Sequence, residues 1–384
     1  MRTTLRAEAA EMCCLSDKLA CCRLGSTVCS SAVERLVEGA GPESRKEHEM
    51  RADHVFKVID VHAGGARSRL VLSGVPPLRG ETMMDRMGYC ETHHDWIRRS
   101  LVLEPRGGNL TSAVVLTAPS RPEAHVGAFF MEAHGYLPMC GSDTVSTVTA
   151  LVETGQVAIT GPETAVRLDT PAGLIEATAH VRDGRVTGVT FVGAPAFCAL
   201  SRAPVDLPGF GAVEVDVAYG GNFYVIADAT RFDLTLEALN TGPALEIARL
   251  LRRAVNETYD VVHPEIPQIR GVTHVQLFVA PDEASAPTRM MVIIPTGDVD
   301  RSPCGTGTTA KVATLYSRGE LALREAFVHQ SVTGARFTGR PVEIADVGGR
   351  PAVRVAITGT AFVIADSTVF VDRTDVLAEG FRIA

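Results

Sequence analysis

The sequence predicts an α+β protein with mostly antiparallel sheets, folded as two similar lobes that each present one cysteine at the start of a helix. Strand-like segments come in runs instead of alternating one-for-one with helices, the signature of α+β and not of a doubly wound parallel sheet. One pattern, C-G-x2-T-x3-V-x2-L-x3-G, occurs twice: as Cys140-Gly141, Thr144, Val148, Leu151 and Gly155, and as Cys304-Gly305, Thr308, Val312, Leu315 and Gly319. Six identities in register, about 160 residues apart, mark a duplication. A chain of 384 residues is also of a length for about two domains. A crevice between the two lobes is then the natural ligand site.

Globular patterning begins near Met50, so residues 1–49 are expected to be a poorly ordered extension. Phe56 to Val61 alternates and runs into the turn His62-Ala63-Gly64-Gly65, a strand and its exit. Further strands are expected at 70–73, 112–117 and 126–131. The helix after Cys140 places Thr144, Val148 and Leu151 on one face and ends at Gly155. Residues 166–168 and 174–181 read as a hairpin turning at Asp169-Thr170-Pro171-Ala172-Gly173. The β pattern continues over 186–192, 213–219 and 223–227. Pro243 opens a helix to Asn256 with Leu245, Leu250, Leu251 and Val255 as its apolar side. Strands at 272–280 and 290–294 feed the second cysteine helix, and 322–368 returns to strand and turn. The first lobe is expected over 50–183, rejoined by 362–384, and the second over 184–361, with the boundary in the turn Val181-Arg182-Asp183-Gly184-Arg185.

Composition excludes several classes of function. With 46% hydrophobic residues the chain can bury a large core, and a net charge of -8 argues against nucleic acid, whose phosphates need a basic surface. No apolar run reaches the roughly 18–20 residues of a bilayer span, so no membrane partner is expected. Five of nine cysteines (Cys13, Cys14, Cys21, Cys22, Cys29) fall in the first thirty residues. The odd total and adjacent pairs do not form a secreted disulfide framework, no C-x2-C spacing supports zinc, and no apolar signal segment precedes them. A cytoplasmic protein without a metal is expected.

The chemistry lies in the repeated cysteines. Each sits at a helix N-terminus, where unpaired N–H groups and the helix dipole favour negative charge, which is expected to lower the thiol pKa. The glycine after each cysteine leaves the backbone open for a small carboxylate to dock. Two such thiols facing one another, one deprotonated and one protonated, can remove a proton from one face of a carbon and deliver one to the other without a cofactor. The helix ends would stabilise the enediolate-like transition state. The α-hydrogen of an amino acid is acidic enough only while its amino group stays protonated, so a carboxylate is expected nearby. Asp300, four residues before Cys304, is well placed.

Asp300-Arg301-Ser302-Pro303-Cys304-Gly305-Thr306-Gly307-Thr308 and Tyr136-Leu137-Pro138-Met139-Cys140-Gly141 resemble the two catalytic motifs of the proline racemase family. Val58-Ile59-Asp60-Val61-His62-Ala63-Gly64-Gly65, Glu104-Pro105-Arg106-Gly107, Ala218-Tyr219-Gly220-Gly221-Asn222-Phe223-Tyr224 and Gly271-Val272-Thr273-His274 add to the resemblance, which spans about residues 52–370. It implies a diaminopimelate-epimerase-like fold, each lobe a sheet wrapped on a central helix. It also implies a cofactor-independent racemase or epimerase acting on proline or a hydroxyproline, such as a 4-hydroxyproline 2-epimerase, and a homodimer. Carried over residue by residue, Cys140 and Cys304 are the acid/base thiols. The backbone of Gly141-Ser142 and Gly305-Thr306 holds the carboxylate, Asp300 the ring ammonium, and His274 contacts substrate.

Two positions depart from the family pattern: Ser142 stands where His is common, and Gly108-Asn109 follow the glutamate-proline-arginine-glycine motif where His is usual. Both changes shrink or neutralise polar groups expected to line the pocket, which opens the substrate range from proline to a hydroxylated or acyclic amino acid. A branch that dehydrates trans-3-hydroxyproline carries Thr at the second cysteine, so Cys304 argues for epimerisation over that lyase chemistry. A catalytically silent amino-acid-binding homologue is the other alternative, against which both retained thiols weigh. Gly305-Thr306-Gly307-Thr308-Thr309-Ala310 also fits the G-x-G-x-x-A dinucleotide fingerprint, but an irregular loop over 298–303 separates it from the preceding strand. His93-His94 read as surface, His134 as structural, and His62 either as a brace for its turn or as a substrate contact.

Overall fold

The computed structural model describes residues 52–237, 241–283 and 286–383. The extension expected over 1–49 and its five cysteines lie outside the described residues. The first half of the chain forms β1 (His54–Ala63), β2 (Ala66–Ser73), helix α1 (Met83–Val102), β3 (Thr111–Thr117), β4 (Val126–Glu132), a short β5 (Gly135–Leu137), helix α2 (Gly141–Glu153), β6 (Glu163–Thr170), β7 (Gly173–Arg182) and β8 (Arg185–Val192). The second forms β9 (Phe197–Leu207), β10 (Gly211–Tyr219), β11 (Phe223–Asp228), helix α3 (Gly242–Thr258), β12 (His274–Val279), β13 (Thr288–Ile293), helix α4 (Gly305–Ser317), β14 (Phe327–Gln330), β15 (Arg336–Val347), β16 (Arg350–Gly359) and β17 (Ala361–Val371).

Strand pairing turns the short repeated motif into a repeat of the whole architecture. One run of neighbours is β17-β1-β2-β3-β4-β6-β7-β8 and the other is β9-β10-β11-β12-β13-β14-β15-β16. In both, the third and fifth pairings are parallel and the rest antiparallel. Each parallel pair is bridged by a helix, as a parallel connection requires: α1 and α3 at the first, α2 and α4 at the second. The last strands of the two runs, β8 and β16, pair antiparallel with Gly359 opposite Val189 and Ala356 opposite Val192, so equivalent strands meet about an approximate two-fold axis. The sheets thus form two similar α+β lobes of the diaminopimelate-epimerase-like kind.

Burial explains why so many strands read as nearly continuous apolar runs: helices cover both faces. In the first half, Ile59, Val61, Leu70, Val114 and Phe130 face the core that contains Val145, Val148 and Leu151 of α2. Their neighbours Phe56, Val58, Val71, Val115 and Phe129 face α1 through Met83, Met87, Ile97 and Leu101. In the second half, Val215, Val217, Val225 and Leu277 pack on Ile247, Leu251 and Val255 of α3. Ala218, Ile226 and Val292 face Cys304 and Ala310 at α4. The repeated valines Val148 and Val312 belong to one core.

The turn at Asp183-Gly184 is a hairpin joining β7 to β8, with left-handed φ of 50° and 75° at those residues. The pairing pattern changes repeat later, between Val192 and Phe197. Helix α3 buries Ala244, Ile247, Ala248, Leu251 and Val255, a face rotated away from Leu245 and Leu250, which stay half-buried. Helix α1 and strand β9 were not anticipated at all. The expected hairpin is present, with Thr170 opposite Gly173.

Candidate active site

The two central helices start at the same point in space. Gly141 and Gly305 open α2 and α4, helices of 13 residues each, and a Cβ built on either glycine would lie 3.3 Å from the other's Cα. The ring of Phe191 closes the third side, its Cζ 3.3 Å from a Cβ at Gly141. Only glycine permits this approach, so the residue after each cysteine lets the two N-termini abut. The repeated threonine fastens each first turn: Thr144 Oγ donates to Cys140 C=O at 2.7 Å and Thr308 Oγ to Pro303 C=O at 3.1 Å.

The loop carrying Asp300 to Cys304 rests on the first half of the chain. A Cβ on Gly64, in the β1–β2 turn, would meet Pro303 Cδ at 2.9 Å. Thr333 Oγ lies 3.0 Å from Gly64 C=O and 3.1 Å from Arg301 C=O, its one proton shared between the two acceptors, which ties the turn to the loop. His62 braces that turn, its Nδ1 accepting from Gly65 N–H at 3.2 Å.

At the junction lies a cavity of about 300 Å³. All eight residues singled out from the sequence line it: Cys140, Gly141, Ser142, His274, Asp300, Cys304, Gly305 and Thr306. Each cysteine is the residue before its helix, and the lining includes the backbone of both Gly141-Ser142 and Gly305-Thr306. Asp300 is held from its own loop, its Oδ1 accepting from Ser302 N–H at 2.8 Å. His274 packs against Tyr224 with ring centroids 4.9 Å apart and planes tilted by 37°, and shares a 2.7 Å hydrogen bond between Nδ1 and Thr273 Oγ.

This architecture has known relatives. A family model described as proline racemase matches residues 58–382. The chain is 42% identical over 334 residues to a 4-hydroxyproline 2-epimerase of Streptosporangium roseum, covering 87% of this chain and all of that protein. It is 39% identical over 332 residues to a proline racemase of Clostridioides difficile, covering 86% and 99%. A crystal structure of a hydroxyproline epimerase from Agrobacterium vitis, with bound trans-4-hydroxy-L-proline, superposes with a TM-score of 0.77 at 34% identity, covering 87% of this chain and 96% of that one.

The chain belongs to the proline racemase family. Its activity class is that of an amino-acid racemase or epimerase. No helix among the described residues is long and apolar enough to cross a membrane.

Where the sequence departs from the family pattern, the cavity is affected directly. Ser142 Oγ lies 3.4 Å from Cys140 Sγ, and Asn109 lines the cavity wall. Beside them the proline racemase family motif at Glu104-Pro105-Arg106-Gly107 is structural: Arg106 Nε donates to Ser100 C=O (2.8 Å) and its Nη2 to Leu377 C=O (2.9 Å), holding the C-terminal segment.

Electrostatics correct one expectation. Helix N-termini were expected to depress both thiol pKa values, yet burial pushes Cys140 well above its ordinary range, helped by Asp143 and Glu132, and pushes Cys304 up to about 12, helped by Asp300. The dipole of one helix end is outweighed by the loss of water around a buried sulfur and by the neighbouring carboxylates. Burial also raises Asp300. His274 is driven down to about 4 by burial and Arg252, so its imidazole is neutral.

Several lining residues had no sequence signal. The Glu132 carboxyl, at the end of β4, is lifted to about 7 by burial and by the neighbouring charges of Asp143 and Asp300, with no side-chain hydrogen bond among the causes. Tyr224 lay within a quoted motif without an assigned role; its hydroxyl is 3.4 Å from Cys304 Sγ. His134, read as structural, lines the cavity and contacts Arg382 at 2.9 Å. Asp143 sits behind Cys140, its Oδ1 accepting from Ser68 and Ser112 hydroxyls at 2.5 Å each. The lining contains neither Lys nor Arg.

Proposed function

We propose that this protein inverts the α-carbon of a hydroxyproline, as a 4-hydroxyproline 2-epimerase does, with Cys140 and Cys304 as its two acid/base groups and no cofactor. The observation that carries the reading is that the equivalent cysteines of two repeats line one cavity of about 300 Å³ at the junction of two helix N-termini. The substrate carboxylate docks on the N–H groups at Gly141-Ser142 and Gly305-Thr306, where helix ends stabilise the charge that builds as the α-proton leaves. The ammonium sits against Asp300, in a cavity with carboxyl groups and no competing side-chain cation. One thiolate takes the α-proton and the opposite thiol returns one to the other face. Hydroxyproline is preferred over proline because a relative so named is 42% identical against 39% for the proline racemase, because a hydroxyproline epimerase of the same fold has trans-4-hydroxy-L-proline bound, and because Ser142 and Asn109 add small polar groups to the wall. The reading also includes a homodimer, open to sedimentation analysis, and a cytoplasmic setting that keeps both thiols reduced.

The test is incorporation of solvent deuterium at the α-position, read with chirality over L- and D-proline and both hydroxyprolines, without added cofactor. Exchange with inversion is expected, strongest with 4-hydroxyproline. Cys140→Ser and Cys304→Ser are each expected to cut inversion by about a thousandfold or more while circular dichroism stays native. Near-wild-type inversion in either variant removes the two-thiol mechanism.

A further inference from the structure

The two cysteines hold equivalent places in the repeat, but their surroundings differ. Cys140 has extended backbone (φ -137°, ψ 127°), and its sulfur makes no cap hydrogen bond of normal geometry, though the Asp143 N–H in the first turn of helix α2 is directed at it. The hydroxyl beside it is Ser142 Oγ at 3.4 Å, and the carboxyl groups of Asp143 and Glu132 face it. Cys304 instead has φ 58° and ψ 106°, a conformation costing a non-glycine residue on the order of 1–2 kcal/mol. That turn brings Sγ back onto helix α4, where it accepts from Gly307 N–H at 3.4 Å. Tyr224 Oη lies 3.4 Å from the same sulfur and 2.6 Å from Thr306 Oγ, which is itself 3.7 Å from the sulfur. One carboxyl group, Asp300, faces Cys304. His274, packed against Tyr224, is neutral and adds no charge.

Three potential donors and one carboxyl therefore surround Cys304, against two potential donors, the Ser142 hydroxyl and the Asp143 N–H, and two carboxyls around Cys140. Hydrogen bonds to a charged sulfur favour the thiolate, and nearby anions oppose it. Resting on the two-thiol reading, we infer that Cys304 is the first of the two thiols to ionise in the substrate-free protein, its thiolate held by a Thr306–Tyr224 hydroxyl relay, while Cys140 keeps its proton. The free protein is then set for the isomer whose α-hydrogen faces Cys304. In turnover Cys304 Sγ takes that hydrogen, the C–H electron pair moves into the carboxylate-stabilised carbanion, and the Cys140 S–H proton adds to the opposite face. Cys304 ends as thiol and Cys140 as thiolate, and the protein resets by releasing one proton to solvent from Cys304 and taking one up at Cys140. Tyr224 is accordingly a further catalytic residue, and the backbone cost at Cys304 is offset by the donors it gains.

Full-length protein without substrate is alkylated with iodoacetamide across a pH series, and each cysteine is followed separately by peptide mass spectrometry. The midpoint for Cys304 is expected at least about one pH unit below that for Cys140. Tyr224→Phe is expected to raise the Cys304 midpoint by about one unit and leave that of Cys140 in place. Cys304 is only 8% exposed and Cys140 more so, hence accessibility alone would favour Cys140 and cannot mimic the result. Thr306→Val gives a smaller shift in the same direction and serves if Tyr224→Phe does not fold. Coincident midpoints, a lower midpoint at Cys140, or a Cys304 midpoint unmoved in the folded variant overturns the inference. Deuterium exchange on the same wild-type sample separates the two readings: no exchange with any amino acid ends the two-thiol reading, whatever the labelling order.

Discussion

Glu132 shows what a single side chain can do in this cavity and why spacing did not reveal it. It ends a strand whose preceding residues are buried apolar, and nothing in an alternating β pattern tells a final solvent-facing carboxylate from one aimed into a cleft. Tyr224 is similar: as one of several aromatics around β11 it reads as core, and its hydroxyl acquires meaning only once Cys304 stands beside it. The cysteines and the glycines were legible because chemistry repeated at fixed spacing has few structural explanations, and Asp300 because the reaction needs a carboxylate close to one of those cysteines. The thiol pKa values were not, because burial is a property of the folded surroundings. Glu132 also makes a stability prediction. Its folded pKa, near 7, exceeds the ordinary value of 4.5, so its contribution favours the fold below about pH 4.5 and is lost as pH rises through 7. Glu132→Gln should therefore flatten the pH dependence across that window. Above pH 7 it should be more stable than wild type by on the order of 2 kcal/mol, measured by urea unfolding at pH 5 and pH 8. A variant equally sensitive to pH would mean that Glu132 is not held protonated.

Among the elements, helix α1 and strand β9 escaped notice for identifiable reasons. The buried side of α1 runs Met83, Met87, Cys90, Ile97 and Leu101, and the step that should fall at 94 is His94, where the backbone leaves helical geometry (φ -138°, ψ 25°). The stripe is interrupted where the helix kinks. Its start was nonetheless written locally, since Thr82 and Asp85 form a reciprocal capping box. Strand β9 contains Pro204, which reads as a breaker. As a terminal strand paired only to β10, β9 has no second ladder in which the missing N–H would be needed. The cysteine helices were the most predictable elements, and their mutual contact is the most sensitive. Gly305→Ala would place a methyl 3.3 Å from Gly141 Cα and 3.8 Å from the Phe191 ring. The fold can absorb this for about 1–2 kcal/mol, but the two N-termini must part by a few tenths of an ångström. Activity is expected to fall at least about tenfold with Tm little changed, because the thiols are set by that contact. Full activity in Gly305→Ala would show that the close approach does not position them.

Across the whole molecule, two lobes could be anticipated from sixteen residues of motif, but the symmetry of the sheets could not, since pairing partners are separated by most of the chain. The eight-strand order repeats strand for strand, and the lobes join through β8 and β16 and through the paired glycines of the site. The repeat is nonetheless out of step with the chain in one place. The position that β9 fills in the second run is filled in the first by β17, which pairs with β1 along its full length, from His54 opposite Val371 to Ala63 opposite Ala361. During synthesis, every strand of the second run leaves the ribosome before the first run receives its outermost member. A released chain truncated after Thr360 should thus show protease-resistant second-half fragments while the segment around β1 is still cut, and the full-length chain should protect both. The older half, in order of translation, is the younger in order of completion.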